Sequence, residues 1–260
     1  MKYILRSLMV VLVALIACCR TVPHTGRTQL MLTSSQEENA LGLKAFNQYK
    51  TKFNRSSNAT YNQALASCGK ALVAVSGNSE FAWEFTVFDS KTQNAFCLPG
   101  GKVAVYSGLM DLMNNEAELS FVVAHEVAHA LARHSGERMS WSYLQTLGGS
   151  LVASAFQNSM YNEMYKQGTE LGVMLPFSRS DEYEADRMGM LLMAKAGYNP
   201  KAAVEFWSRF VGTPNDSFLD GLMSTHPRDV DRIEAMKKNM AEAEAAYAAA
   251  PVKRGYGMSI

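Results

Sequence analysis

His125-Glu126-Val127-Ala128-His129 carries the clearest chemistry in this sequence. Two histidines four residues apart share one face of an α-helix, so both can bind one metal ion. The glutamate between them sits beside that ion, placed to take a proton from a water the metal activates. Imidazole and carboxylate donors suit Zn2+, one ion per chain, with a fourth position left for water. The flanks read as a buried helix, since Phe121, Val122, Val123, Ala124, Val127, Ala128 and Ala130 are all apolar. Two histidines and a glutamate on such a helix are costly unless a metal or partners satisfy them.

A third ligand has to come from another part of the chain. His134 does not fit the long zinc signature, in which Gly and His follow the second ligand; Ala132 and Ser135 stand at those places. On a continuous helix His134 would also be rotated about 140° from His129, which makes it a surface or helix-end residue. Ser178-Arg179-Ser180-Asp181-Glu182-Tyr183-Glu184-Ala185-Asp186 offers more. Glu182 and Asp186 are four apart and share a helix face, so one can bind metal while the other orients a ligand histidine. Glu184 points away from Glu182 and reads as a solvated charge near a helix N-terminus.

The elements that must position these residues make an α+β chain. Helical patterns cover about 35–49 and 59–76, and strands are expected at 81–88 and Lys102–Tyr106, either side of a polar turn at 89–94. From Ala117 onwards the pattern is helical: about 116–134, 137–173, 179–196, 200–211 and 228–249. The expected architecture is a mostly helical domain over 36–250, with a small β-sheet beside the HExxH helix and a loose tail at 251–260. Segment 137–173 could lie over the cleft as a lid.

The N-terminus reads as an address. Lys2 and Arg6 precede an unbroken apolar run from Leu8 to Ala17. That run is shorter than the roughly 20 residues a membrane span needs, and residues 1–17 read as a signal peptide. Leu15-Ile16-Ala17-Cys18 resembles the bacterial lipobox, which makes Cys18 the expected lipidation site and membrane anchor. Residues 18–35 then form a lipidated tether in the periplasm. Without Asp at position 19, the outer membrane is the expected surface. Cys68 and Cys97 remain in the body of the chain, and an even pair in an oxidising compartment is expected to form a disulfide.

Composition excludes several classes. With 25 basic residues against 24 acidic, the formal charge is +1, and no dense basic stripe points to nucleic acid. Hydrophobic residues make up 48%, enough for a substantial core.

The chain resembles the HtpX and CAAX-prenyl-protease family of gluzincin metallopeptidases. The resemblance rests on Asn94 to Gly101, on Ser107-Gly108-Leu109, on HEVAH, on SRSDEYEAD and on Ser224-Thr225-His226-Pro227. It runs in order over about 60–240, and the lipobox places the chain nearest the periplasmic lipoprotein branch. The resemblance implies a zincin-type fold, zinc ligands His125, His129 and Glu182, Glu126 as general base, and Asp186 as partner of a ligand histidine. It also implies a site position for His226, which could stabilise the oxyanion, and an anchoring role for Arg232. The strand Lys102, Val103, Ala104, Val105 and Tyr106 is expected to pair with an extended substrate. The implied activity is endopeptidase cleavage of unfolded envelope polypeptides, with envelope proteases or assembly machinery as candidate partners. The rival from another class is an assembly or chaperone-like binding factor that keeps the zinc fold and rarely cuts. A purely structural zinc site would have no need of Glu126.

Overall fold

The computed structural model describes residues 19–23, 25–156, 177–210, 222, 226 and 230–255. The signal-peptide reading of 1–17, Cys18, and the 157–173 part of the lid segment lie outside the described residues. The described residues begin with a hairpin of β1 (Cys19–Thr21) and β2 (Thr28–Leu30), followed by α1 (Ser35–Lys52) and α2 (Ala59–Ser76). Next come β3 (Glu84–Phe88), β4 (Ala95–Leu98), β5 (Lys102–Tyr106) and the short α3 (Ser107–Met110). The helical part holds α4 (Glu116–Leu131), α5 (His134–Phe156), α6 (Arg179–Lys195), α7 (Lys201–Phe210) and α8 (Val230–Ala249). The chain is therefore α+β and mostly helical, as its patterning indicates. Among the described residues no helix is long and apolar enough to cross a membrane.

Side chains choose these boundaries. Ser34 accepts from the Glu37 amide while Glu37 reaches back to the Ser34 amide, a reciprocal cap that starts α1. Asn58 caps α2 through the Tyr61 amide, and Asn115 caps α4 through the Glu118 amide. Glu118 is buried, and Arg209 of α7 neutralises it with its guanidinium 2.7 Å from Oε2.

The three-stranded sheet has the order β3-β5-β4, with β3 parallel and β4 antiparallel to β5. Alternation along the strands feeds two cores. Val87, Cys97, Val103 and Val105 face α2 and α4, whereas Phe88, Phe96, Ala104 and Tyr106 face Phe46 of α1. This corrects the expectation for Lys102, Val103, Ala104, Val105 and Tyr106. They form the central strand, buried at every position, and both edges are already hydrogen-bonded. A strand without a free edge cannot pair with substrate.

Cys68 and Cys97 are also corrected: both are free, buried thiols. Cys68 lies on α2, which packs on β3, whereas Cys97 lies on β4, beyond the intervening β5. Burial pushes both thiols well above their ordinary pKa, so each packs as a small apolar group. The expected outcome of thiol titration is that neither reacts in the folded protein and both react on unfolding, without reductant.

The described parts of the expected tether and tail hold defined structure. Residues 19–30 double back as the β1–β2 hairpin, and Val22, Leu30 and Met31 are buried. After α8, Arg254 donates its amide to Gly197 O at 2.7 Å, and Lys253 caps the carbonyls of Ala248 and Ala250.

α4 and α6 share the most extensive helix–helix contact, and α8 packs on the other side of α6. Gly189 makes this approach possible. A Cβ there would stand 3.0 Å from the Cα and N of His125 and 3.2 Å from the Ala124 carbonyl carbon, all backbone atoms. Gly189→Ala must therefore push α6 off α4, costing about 1–3 kcal/mol by overpacking. Denaturant unfolding should show that loss, and chelator competition should show a weaker metal site.

Candidate metal centre

His125, Glu126 and His129 project from α4, and Glu182 and Asp186 project from α6. α6 starts at Glu182's turn because Ser178 caps it: its hydroxyl accepts from the Asp181 amide and Asp181 bonds back to Ser178 N–H. All five site residues are buried, as is His226.

The ring nitrogens converge. His125 Nε2 lies 3.1 Å from His129 Nε2, and Glu182 offers Oε2 at 3.5 Å from the first and Oε1 at 3.4 Å from the second. Two nitrogens bound at about 2.0–2.1 Å to one tetrahedral zinc ion would be roughly 3.3–3.4 Å apart. The three donors therefore already have the spacing of one shared cation. Glu126 Oε1 is buried without an in-line hydrogen-bond partner, which leaves acceptor capacity facing the cluster. The residues fit a metal ion.

His226 joins the same cluster. Its Nδ1 is 2.9 Å from Glu182 Oε1 and 3.3 Å from His125 Nε2, and its Nε2 is 3.2 Å from Glu126 Oε1. One ligand atom from each of His125, His129, Glu182 and His226 lies within 4.8 Å of the others. The sequence reading put His226 near the site; the structure puts it among the donors.

Electrostatics follow from burial and charge. Burial alone would disfavour charged His226, but the Glu182 and Glu126 carboxylates outweigh it and raise its pKa to about 10. Burial pushes the His129 pKa well below the usual histidine range. Glu182, despite burial, is held well below the carboxylate range by His226, His125 and His129.

Asp186 Oδ1 stands 3.0 Å from His125 Nδ1, off the line of a good hydrogen bond. Behind it, Arg232 of α8 grips both Asp186 oxygens at 2.7 Å and reaches Glu182 Oε2 at 2.7 Å. Its guanidinium carbon lies 4.5 Å from the centre of a Trp207 ring. Arg232 thus anchors Glu182 and Asp186, two of the buried carboxylates of α6.

His134 lies at a helix end and Glu184 near a helix N-terminus as read, but neither is solvated. His134 is fully buried and Glu184 nearly so. α4 ends at Leu131, and Arg133 takes a left-handed φ of 58°, so His134 starts a new helix and folds back. Its Nδ1 comes 2.8 Å from His129 Nδ1, and its Nε2 comes 2.9 Å from Glu184 Oε2. A non-glycine residue in this region costs about 1–2 kcal/mol. Bonds from Arg133 to Glu38 Oε1 at 2.7 Å and to Thr33 O at 3.0 Å offset that cost. No helix-period argument could reveal a break at an arginine. Phe177, which stacks on His129 with centroids 3.8 Å apart, was also missed.

With the geometry in place, the comparisons agree with it. A capped pair of helices that carries HExxH on one and ExxxD on the other is the framework of a metallopeptidase fold. Residues 59–240 match Peptidase family M48, and the chain belongs to that family. It is 36% identical over 176 residues to the mitochondrial metalloendopeptidase OMA1 of Schizosaccharomyces pombe, covering 67% of this chain and 52% of that protein. It is 31% identical over 188 residues to a putative beta-barrel assembly-enhancing protease of Vibrio cholerae, covering 66% of this chain and 37% of that one. The OMA1 of Arabidopsis thaliana is 35% identical over 158 residues, with 61% of this chain and 32% of the relative covered. The chain thus spans about a third to a half of the length of these relatives.

Arg232→Met removes the cation from two buried carboxylates and is expected to destabilise the protein by about 3–5 kcal/mol. Urea unfolding of the metal-free protein measures this; a loss below about 1 kcal/mol would mean the two α6 carboxylates are held by other groups.

Proposed function

We propose that this chain is a zinc-dependent endopeptidase of the bacterial envelope, in the HtpX-like periplasmic lipoprotein branch. Its substrates would be unfolded or damaged periplasmic and outer-membrane polypeptides. The observation that carries the reading is the triangle of His125, His129 and Glu182 donors with the Glu126 carboxylate beside it. Zinc, when bound by these three residues, would supply Lewis-acid polarisation of the peptide carbonyl and lower the pKa of water. Glu126, on the same turn as His125, takes the proton of the attacking water and returns it to the leaving amine. Asp186, held by Arg232, keeps the His125 ring in its orientation. His226 is the donor we assign to the developing oxyanion.

The lipid anchor at Cys18 and the outer-membrane location rest on the lipobox resemblance. The matches to beta-barrel assembly-enhancing proteases of Vibrio cholerae and Yersinia pestis support an envelope role. The burial of every donor favours a second reading, an assembly or chaperone-like binding factor with low turnover.

Glu126→Gln separates the two. Cleavage of a denatured protein should fall by roughly 10²–10⁴-fold while zinc stays bound. Chelation should abolish cleavage by the unaltered chain, and added zinc should restore it. Undiminished turnover by the variant, or cleavage that ignores the chelator, would sink the mechanism. Retained envelope function in the variant would favour the binding factor.

A further inference from the structure

The β1–β2 hairpin sits on the far side of the metal cluster from Asp186 and Arg232. Arg27 reaches from it into the protein. Nε of Arg27 donates to Glu184 Oε2 at 2.7 Å, and NH2 and NH1 hold the Glu137 carboxylate at 2.7 and 3.1 Å. Thr25 Oγ1 donates to the other Glu184 oxygen. Next to Arg27, Gln29 donates to Ala132 O at 2.9 Å, the carbonyl at the end of α4. The hairpin therefore clamps the start of α5, the second turn of α6 and the break between α4 and α5.

Glu184 passes this clamp inwards. Its charged carboxylate accepts only, so the His134 nitrogen 2.9 Å from Oε2 must carry a hydrogen. With its ring hydrogen on the Nε2 that faces Glu184, His134 presents an Nδ1 lone pair 2.8 Å from His129 Nδ1, and the hydrogen bond between the two rings then runs from His129 to His134. With its hydrogen on Nδ1, His129 has a free lone pair on Nε2, the atom that faces His125 and Glu182.

We infer that His134 is a positioning residue for the metal ligand His129, and that the N-terminal hairpin, through Arg27 and Glu184, is built into the metal site. The series Arg27–Glu184–His134–His129 selects the ring tautomer that binds metal before any ion arrives. It also fixes the plane of His129, the ring on which Phe177 stacks. Asp186 with Arg232 serves His125 from α6 and α8; Glu184 with Arg27 serves His129 from α6 and the hairpin. One helix thus supplies Glu182 as donor and two further carboxylates as supports. Partners of this kind typically change metal affinity by 10–100-fold when removed.

This inference rests on the metal-site reading above, and the test keeps the two apart. Zinc dissociation constants would be measured by chelator competition for the unaltered chain, His134→Phe, His134→Asn, Arg27→Gln and His129→Ala. Unfolding of each metal-free variant would be followed in parallel. His134→Phe should weaken zinc binding by roughly 10–100-fold. His134→Asn, whose carbonyl can accept from His129 Nδ1, should recover part of that loss. Arg27→Gln should weaken binding several-fold, because Thr25 and His134 still hold Glu184. The ¹⁵N shifts of His129 in the metal-free unaltered chain should show hydrogen on Nδ1, whether or not any variant folds. A His134→Phe protein that binds zinc within about two-fold of the unaltered chain overturns the inference, as does a His129 found with hydrogen on Nε2. Absence of zinc binding by the unaltered chain would remove the metal-site reading and this inference with it. Loss of binding in His129→Ala alone would keep the reading and reject the relay.

Discussion

Helices α4 and α6 meet where Gly189 leaves nothing between α6 and the backbone of His125, and the spacing of the metal donors depends on that contact. Metal ligands from two helices must converge within a few tenths of an ångström of their working geometry. A short side chain at Gly189 would move all α6 carboxylates outwards together. The rest of the fold keeps the two helices in register. α8 supports α6 from behind, and α2 and the sheet support α4.

Closeness creates an electrostatic problem that the chain solves by layers. Glu182, Glu184 and Asp186 are all buried on one helix, and repulsion and desolvation would drive them apart or neutralise them. Arg232 compensates the first and third, and Arg27 compensates the second, to which His134 is also hydrogen-bonded. Glu184 shows the balance: burial pushes its pKa up, but bonds from His134, Thr25 and Arg27 hold it at about 2. Buried ion pairs of this sort contribute orientation more than stability. Their energetic weight shows mainly when one partner is removed.

The histidine pair on α4 was legible because a four-residue spacing puts both side chains on one face of a helix, whatever surrounds it. Glu182 and Asp186 were legible for the same reason. Helix ends at Ser34, Asn58 and Ser178 were equally local, since a cap needs only its own first turn. The centrality of Lys102–Tyr106 was not legible, because strand order depends on partners distant in sequence. Nor was the state of Cys68 and Cys97, which depends on which face and which edge each occupies. His134 and Glu184 were misjudged because helical periodicity was carried across Arg133, where the helix stops.

The sequence by itself determined which donors exist and which helix turn presents each one, because periodicity and capping act within a few residues. It also determined the family, through motifs whose order along the chain is itself specific. Only the tertiary structure decided that His226 joins the donors, that Arg232 serves Asp186 and Glu182, and that the hairpin at 19–30 reaches the back of His129. Those contacts join residues far apart in the chain. Their existence depends on packing distances and charge compensation that no local pattern encodes.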